Sequence, residues 1–232
     1  MSDLFYTSIK WTWRWPICFA HRPTLVGLEH AKRGGPFILL ANHTSPYDIA
    51  LLIYHVRQHV DFVSTTEVFS IPVLGRFYGA MNAFPLDRSK PDSATVRIML
   101  QRLASGRPIA MFPEGGFRYR ERSVLHGGPL RRGVGRLARL AQVPVIPCAI
   151  EDSLVFGRPS SWLPLRRSRY GIAFGEPMPP PEASQPDEES GAFEQAVAER
   201  IRRLHATLMT EMGRPMDQAA TLRHEPKRKS NC

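Results

Sequence analysis

Five short apolar runs alternate with segments of helical periodicity, and that alternation limits the chain to an α/β fold. Residues 37–41 are too short for a helix and read as a buried strand, and 62–64, 109–112, 143–150 and 170–174 also read as strands. Between them, residues 46–57 place Ile49, Leu52, Ile53 and Val56 on one helical face. Asp92 and Ser93 can cap a helix carrying Val96, Met99, Leu100 and Leu103, which stops at Gly106. Residues 130–141 repeat the pattern with Val134, Leu137, Ala138 and Ala141, and a terminal amphipathic helix follows with Phe193, Val197, Ile201, Leu204 and Leu208. The glycine- and proline-punctuated stretch 71–85 reads as loop with one short helix, and 177–186 as a proline-rich linker. With 232 residues, the expectation is a single domain built on a mixed central sheet flanked by helices. Residues 1–23 form an aromatic helical segment, 24–176 the α/β domain, and 177–232 the linker, terminal helix and basic tail.

A balance of 31 Lys+Arg against 21 Asp+Glu gives a net charge of +10, which favours polyanionic partners: membrane surfaces, nucleic acids or phosphorylated small molecules. The basic tail around Arg223, Lys227, Arg228 and Lys229 reads as a solvated terminus or a docking element. Three scattered cysteines argue against a disulfide framework and a zinc cluster, and a reducing compartment fits. The best candidate for a membrane span, residues 4–20, is broken by Lys10, Arg14 and Pro16, so no span is expected. It carries Phe5, Tyr6, Trp11, Trp13, Trp15 and Phe19 beside those cations, a composition suited to a bilayer's headgroup layer or to packing on the domain.

The stretch Asn42-His43-Thr44-Ser45-Pro46-Tyr47-Asp48 lies between a strand and a helix. On one continuous helix, residues five apart point about 140° away from each other. His43 and Asp48 meet if His43 ends the strand and the chain reverses, a break that Pro46 supports as a first helical residue. The carboxylate then orients the imidazole and leaves its other nitrogen as a general base. Ser45-x-x-Asp48 is equally a capping box in which Asp48 supports the helix's positive end, and spacing leaves both readings open. Phe84-Pro85-Leu86-Asp87-Arg88 offers an arginine for a phosphate clamp or for a surface pair with Asp87. Phe112-Pro113-Glu114-Gly115-Gly116 reads as a close turn near a ligand or as a plain surface turn. No Gly-x-Ser-x-Gly elbow is present, which counts against an ordinary serine hydrolase.

In order, Asn42-His43-Thr44-Ser45-x-x-Asp48, Phe84-x-x-Asp87-Arg88, Phe112-Pro113-Glu114-Gly115 and Val143-Pro144-Val145-Ile146-Pro147 resemble the four motif blocks of the glycerolipid (lysophospholipid) acyltransferase family, in its 1-acylglycerol-3-phosphate acyltransferase type. The resemblance implies a catalytic dyad of His43 and Asp48. It also implies acceptor and phosphate binding by Arg88, Glu114 and Gly115, with Arg118 as a further anion contact and Arg131 and Arg132 as candidates. After the Phe-Pro-Glu-Gly core the family usually has Thr-Arg-Ser, whereas this chain has Gly116-Phe117-Arg118, a departure that bears on the acceptor's identity.

The activity implied by the resemblance is acyl transfer from a coenzyme A or acyl carrier protein thioester to a lysophospholipid hydroxyl, without an acyl-enzyme. It implies no metal and no cofactor beyond that thioester co-substrate. The expected location is peripheral, on the cytoplasmic face of the membrane, with an anionic lipid surface as partner and no nucleic acid. The competing readings are transfer to another lyso-lipid, a catalytically silent lipid-binding protein of the same fold, lipid hydrolysis, and a basic nucleic-acid binder.

Overall fold

A computed structural model of the chain describes residues 3–65, 69–70, 75–76, 79–86, 93–158, 168–182 and 190–214. Its strands are β1 (His21–Val26), β2 (Ile38–Ala41), β3 (Asp61–Thr65), β4 (Ala83–Leu86), β5 (Ile109–Met111), β6 (Val145–Glu151) and β7 (Ser168–Phe174). They form one sheet in the order β1-β7-β6-β2-β5-β3-β4. Every neighbouring pair is parallel except β6 with β7, so the sheet is mixed. The helices are α1 (Asp3–Ala20), α2 (Leu28–Ala31), α3 (Tyr47–His55), α4 (Ser93–Ala104), α5 (Val134–Ala141) and α6 (Ser190–Glu211).

Side chains alternate across the strands, so each strand feeds two cores. Leu39, Ala41, Ile146, Cys148, Ile150 and Ile172 point to the face covered by α1 and α3, where Tyr6, Ile17, Leu51 and Leu52 are buried. Ile38, Leu40, Ile109, Val145, Ala149 and Ala173 point to the other face, under Met99, Leu103, Leu137, Val197, Ile201 and Leu208 of α4, α5 and α6. A strand buried on both faces reads as an unbroken apolar run, which is why the central strands are visible in the sequence.

Two strands lie outside the expected set. β1 begins at His21, inside the aromatic segment 1–23, and β4 occupies the end of the expected 71–85 loop. Both are edge strands and both contain a proline, Pro23 and Pro85; at an edge one side of the strand has no ladder to donate to. The expected 177–186 linker is tied down where it starts, because Met178 and Val145 exchange backbone hydrogen bonds of 2.8 and 2.9 Å. The tail cations 223–229 and residues 183–189 lie outside the described residues.

The aromatic helix is part of the domain. Tyr6 is fully buried, and its hydroxyl accepts the Val60 N–H at 3.1 Å. Lys10 donates to the carbonyls of Val56 (2.6 Å) and Arg57 (3.1 Å), at the C-terminal end of α3 where helix carbonyls lack partners. Leu4, Phe5 and Trp11 are left exposed on α1. The side chains of Trp13, Trp15 and Phe19 lie outside the described ones.

At the opposite end of the sheet from the strand β2–α3 bend, Asp61 is fully buried and receives Arg107 Nη2 (2.6 Å), Arg107 Nε (3.0 Å) and Arg102 Nη1 (3.0 Å). Arg107 also reaches Asp3 of α1 at 3.4 Å, so this cluster ties the first helix to the start of β3. Asp61→Ala leaves two guanidinium groups without their shared acceptor. Because both are partly exposed, the expected loss is about 2–3 kcal/mol of unfolding free energy, measured by urea denaturation.

Candidate active site

β2 ends at Ala41, and the next side chain extends its pairing with β6. The Asn42 carboxamide donates to the Ile150 carbonyl (2.9 Å) and accepts the Ile150 N–H (2.7 Å), standing in for a backbone rung. With that ladder closed by a side chain, the main chain is released to turn into α3. His43 sits on the turn.

His43 Nδ1 lies 2.9 Å from Asp48 Oδ2. The same oxygen accepts the N–H groups of Thr44 (2.8 Å) and Ser45 (2.9 Å), while the Ser45 hydroxyl donates to Oδ1 at 3.4 Å. Asp48 is fully buried, and a buried carboxylate needs such donors in place of water. An ionised carboxylate only accepts, so the Nδ1–Oδ2 contact puts the proton on Nδ1 and leaves the lone pair on Nε2. One carboxylate therefore makes both the contact with His43 and the bonds that support the start of the helix. Its bond to the Ser45 N–H resembles the return half of a capping box, but Ser45 Oγ accepts the Tyr47 N–H at 3.2 Å and not that of Asp48, so the expected box is only half formed. Pro46 has helical dihedrals (φ −63°, ψ −18°) as the cap, and the helix proper starts one residue later than expected, at Tyr47.

A second carboxylate grips the backbone of the same histidine. Glu114 Oε2 accepts the His43 N–H at 2.7 Å, and Oε1 accepts the Ser123 hydroxyl (2.8 Å) and the Val124 N–H (2.6 Å). Burial pushes the Glu114 carboxyl above the ordinary glutamate range, against the opposing pull of these donors. The resemblance gives Glu114 a contact with the acceptor. In the structure both of its oxygens meet protein donors at 4% exposure, and it ties the His43 turn to the 123–124 turn.

The imidazole is held between two aromatic rings. Phe112 stacks on it with centroids 3.9 Å apart and planes 16° from parallel, and Phe117 tilts over it at 4.4 Å and 50°. The His43 carbonyl accepts the Arg118 N–H at 3.0 Å, and Arg118 Nε donates to the Glu114 carbonyl at 3.3 Å. Gly115 has φ +76°, a conformation that favours glycine, and the Arg131 guanidinium lies where its Cβ would be. Arg118 and Arg131 thus converge on the turn beside His43. Arg132 is an exposed neighbour, and Arg88 lies outside the described residues. Asn42, Phe112, Phe117 and Ser123 were not given roles by the sequence; no periodicity marks a side chain that substitutes for a strand rung or clamps a ring.

Among the described residues no group of three or more His, Cys, Asp or Glu is placed to hold a metal ion. Nor is any of their helices long and apolar enough to cross a membrane.

The strand-to-helix turn presents a carboxylate-held imidazole at the end of a mixed sheet, and comparisons with known proteins give the class of the chain. Residues 22–151 match the family model described as Acyltransferase, and the chain belongs to the acyltransferase family. It is 24% identical over 184 residues to the 1-acyl-sn-glycerol-3-phosphate acyltransferase of Bacillus subtilis (strain 168), covering 78% of this chain and 86% of that protein. The chloroplastic 1-acyl-sn-glycerol-3-phosphate acyltransferase BAT2 of Brassica napus is 29% identical over 133 residues, 56% of this chain and 37% of that longer protein. The crystal structure of the 1-acyl-sn-glycerophosphate (LPA) acyltransferase PlsC from Thermotoga maritima superposes with a TM-score of 0.61. It is 22% identical, covers 87% of this chain and 80% of that one, and establishes likeness of fold.

Glu114→Gln keeps the shape of the side chain but turns one acceptor into a donor, facing either the His43 N–H or the 123–124 pair. The expected outcome is a fall in kcat of about tenfold or more with acceptor KM changed by less than about twofold. A raised KM with kcat preserved would return Glu114 to direct contact with the acceptor.

Proposed function

We propose that this protein transfers a fatty acyl group from a coenzyme A or acyl carrier protein thioester to the free hydroxyl of a lysophospholipid, with 1-acylglycerol-3-phosphate as the first candidate and phosphatidic acid as its product. The observation that carries the reading is the 2.9 Å contact between His43 Nδ1 and a buried Asp48, which leaves Nε2 as a base. His43 Nε2 takes the acceptor's hydroxyl proton as its oxygen attacks the thioester carbonyl. The tetrahedral oxyanion then collapses, the C–S bond breaks, and the imidazolium returns the proton to the departing thiolate. Asp48 holds the ring and supports its positive charge throughout.

Direct transfer is supported by the lack of a nucleophile beside the base. Among the described residues no serine or cysteine bonds to the His43 ring, and Cys148 is fully buried with its thiol pKa pushed well up by that burial. Arg118 and Arg131 supply cations for the acceptor's phosphate, joined by Arg88 on the strength of the family motif. The proposed location is peripheral, on the cytoplasmic face of the membrane; the exposed Leu4, Phe5 and Trp11 of α1 support the contact with a membrane surface.

One observation favours a different lyso-lipid acceptor. Phe117 places an apolar ring 4.4 Å from the imidazole, at a position where the family usually has an arginine. A panel of lyso-lipids incubated with labelled acyl donor separates the two, and a reaction run without acceptor reports hydrolysis. In this assay His43→Ala is expected to lower transfer by about 10²–10⁴-fold while far-UV circular dichroism stays unchanged. Turnover close to wild type in that variant would remove His43 as the base.

A further inference from the structure

On the α1 side of the sheet, a cleft of 770 Å³ opens between α1, the edge strand β1, α2 and the C-terminal end of α3. That volume is in the range of small-molecule sites. Its apolar lining includes Ile17, Leu25 and Leu28, contributed by three different elements. Arg14 on α1 and Lys32 just after α2 bring a cation from each side. Both are exposed, and among the described residues neither is in an ion pair with a carboxylate. The nearest acid on α2, Glu29, is 3.7 Å from His30. Arg14 instead lies over the Trp11 ring, 5.4 Å from its centroid.

The cleft is separate from the dyad. Asp48 stands at the start of α3 and the cleft residues Tyr54 and His55 at its end, about 10 Å away along the axis at 1.5 Å per residue. Two uncompensated cations above an apolar trough match a phosphate joined to an aliphatic chain, the chemistry of a phospholipid. Trp11 both lines the cleft and is 64% exposed, and Leu4, two helical turns earlier on the same line, is 74% exposed. This face of α1 therefore carries two exposed apolar side chains, Leu4 and Trp11, the second of them at the mouth of the cleft.

We propose that the cleft is a second lipid site, which seats the phosphate headgroup of an anionic bilayer phospholipid between Arg14 and Lys32 with its first methylenes over Ile17, Leu25 and Leu28. Its occupant is a lipid of the supporting membrane and not the reacting acceptor. The inference rests on the membrane-surface part of the function proposed above and is independent of the His43–Asp48 chemistry.

The test is sedimentation of the full chain with vesicles of phosphatidylcholine alone and of phosphatidylcholine mixed with phosphatidylglycerol. Arg14→Glu/Lys32→Glu is compared with Arg97→Glu/Arg200→Glu, which makes the same change in net charge on the opposite face of the sheet. Since each surface cation contributes on the order of a fivefold preference for an anionic leaflet, and the variant also adds two anions, it should bind mixed vesicles at least about thirtyfold more weakly. The control should bind like the wild type. Monomeric short-chain phosphatidylglycerol should displace the wild type from mixed vesicles, and inorganic phosphate at matched ionic strength should not. Turnover of a detergent-solubilised lyso-lipid should be unchanged in the cleft variant, whereas His43→Ala should lose turnover and keep vesicle binding. Equal losses in the cleft variant and the control would make the binding a matter of net charge and overturn the proposal. So would displacement by inorganic phosphate, or a raised acceptor KM in detergent, which would make the cleft part of the substrate site.

Discussion

A carboxylate removed from water at the bend between β2 and α3 sets the terms for everything around it. Asp48 has no exposed surface, and a charge in that position is tolerated only if donors surround it. Three nitrogens meet on its Oδ2: two backbone amides from the turn and the imidazole of His43. The amides fix the path of residues 44 and 45, and the N-terminal end of α3 adds the favourable end of its dipole. Turn, helix start and ring orientation are therefore solutions to one electrostatic requirement.

Glu114 solves a similar requirement from the opposite side. Its carboxylate reaches across from the turn after β5 to hold the His43 N–H, and its second oxygen closes the 123–124 turn. One carboxylate thus restrains the ring of His43 and another its main chain, while Phe112 and Phe117 limit tilting of the imidazole. In the proposed mechanism, a base held by these contacts meets the attacking hydroxyl without reorganising, which is where positioning would contribute to rate.

The His43–Asp48 contact was one of two readings that the short segment and its proline left open, and the family resemblance, not the spacing, selected it. The central strands were legible because burial on two faces leaves an apolar run with no alternative reading. The edge strands β1 and β4 were not, since Pro23 and Pro85 look like loop signals unless the strand is known to lack a neighbour on one side. Glu114 was singled out by a motif, but its bond to His43 joins residues 71 apart, and local patterning carries no information at that range. The role of Asn42 was hidden for another reason: a side chain that imitates the backbone leaves no periodicity of its own.

The placement of β1 governs how this chain comes off the ribosome. It follows α1 directly, yet its neighbour in the sheet is β7, with His21 opposite Ser168. The first strand made must wait for the last. At a translation speed of about 5–20 residues per second, that delay is on the order of ten seconds. Throughout it, Tyr6 and Ile17 have no completed core to enter, and Leu4, Phe5 and Trp11 are adhesive as well. A nascent polypeptide of this design carries an unsheathed apolar helix for most of its elongation.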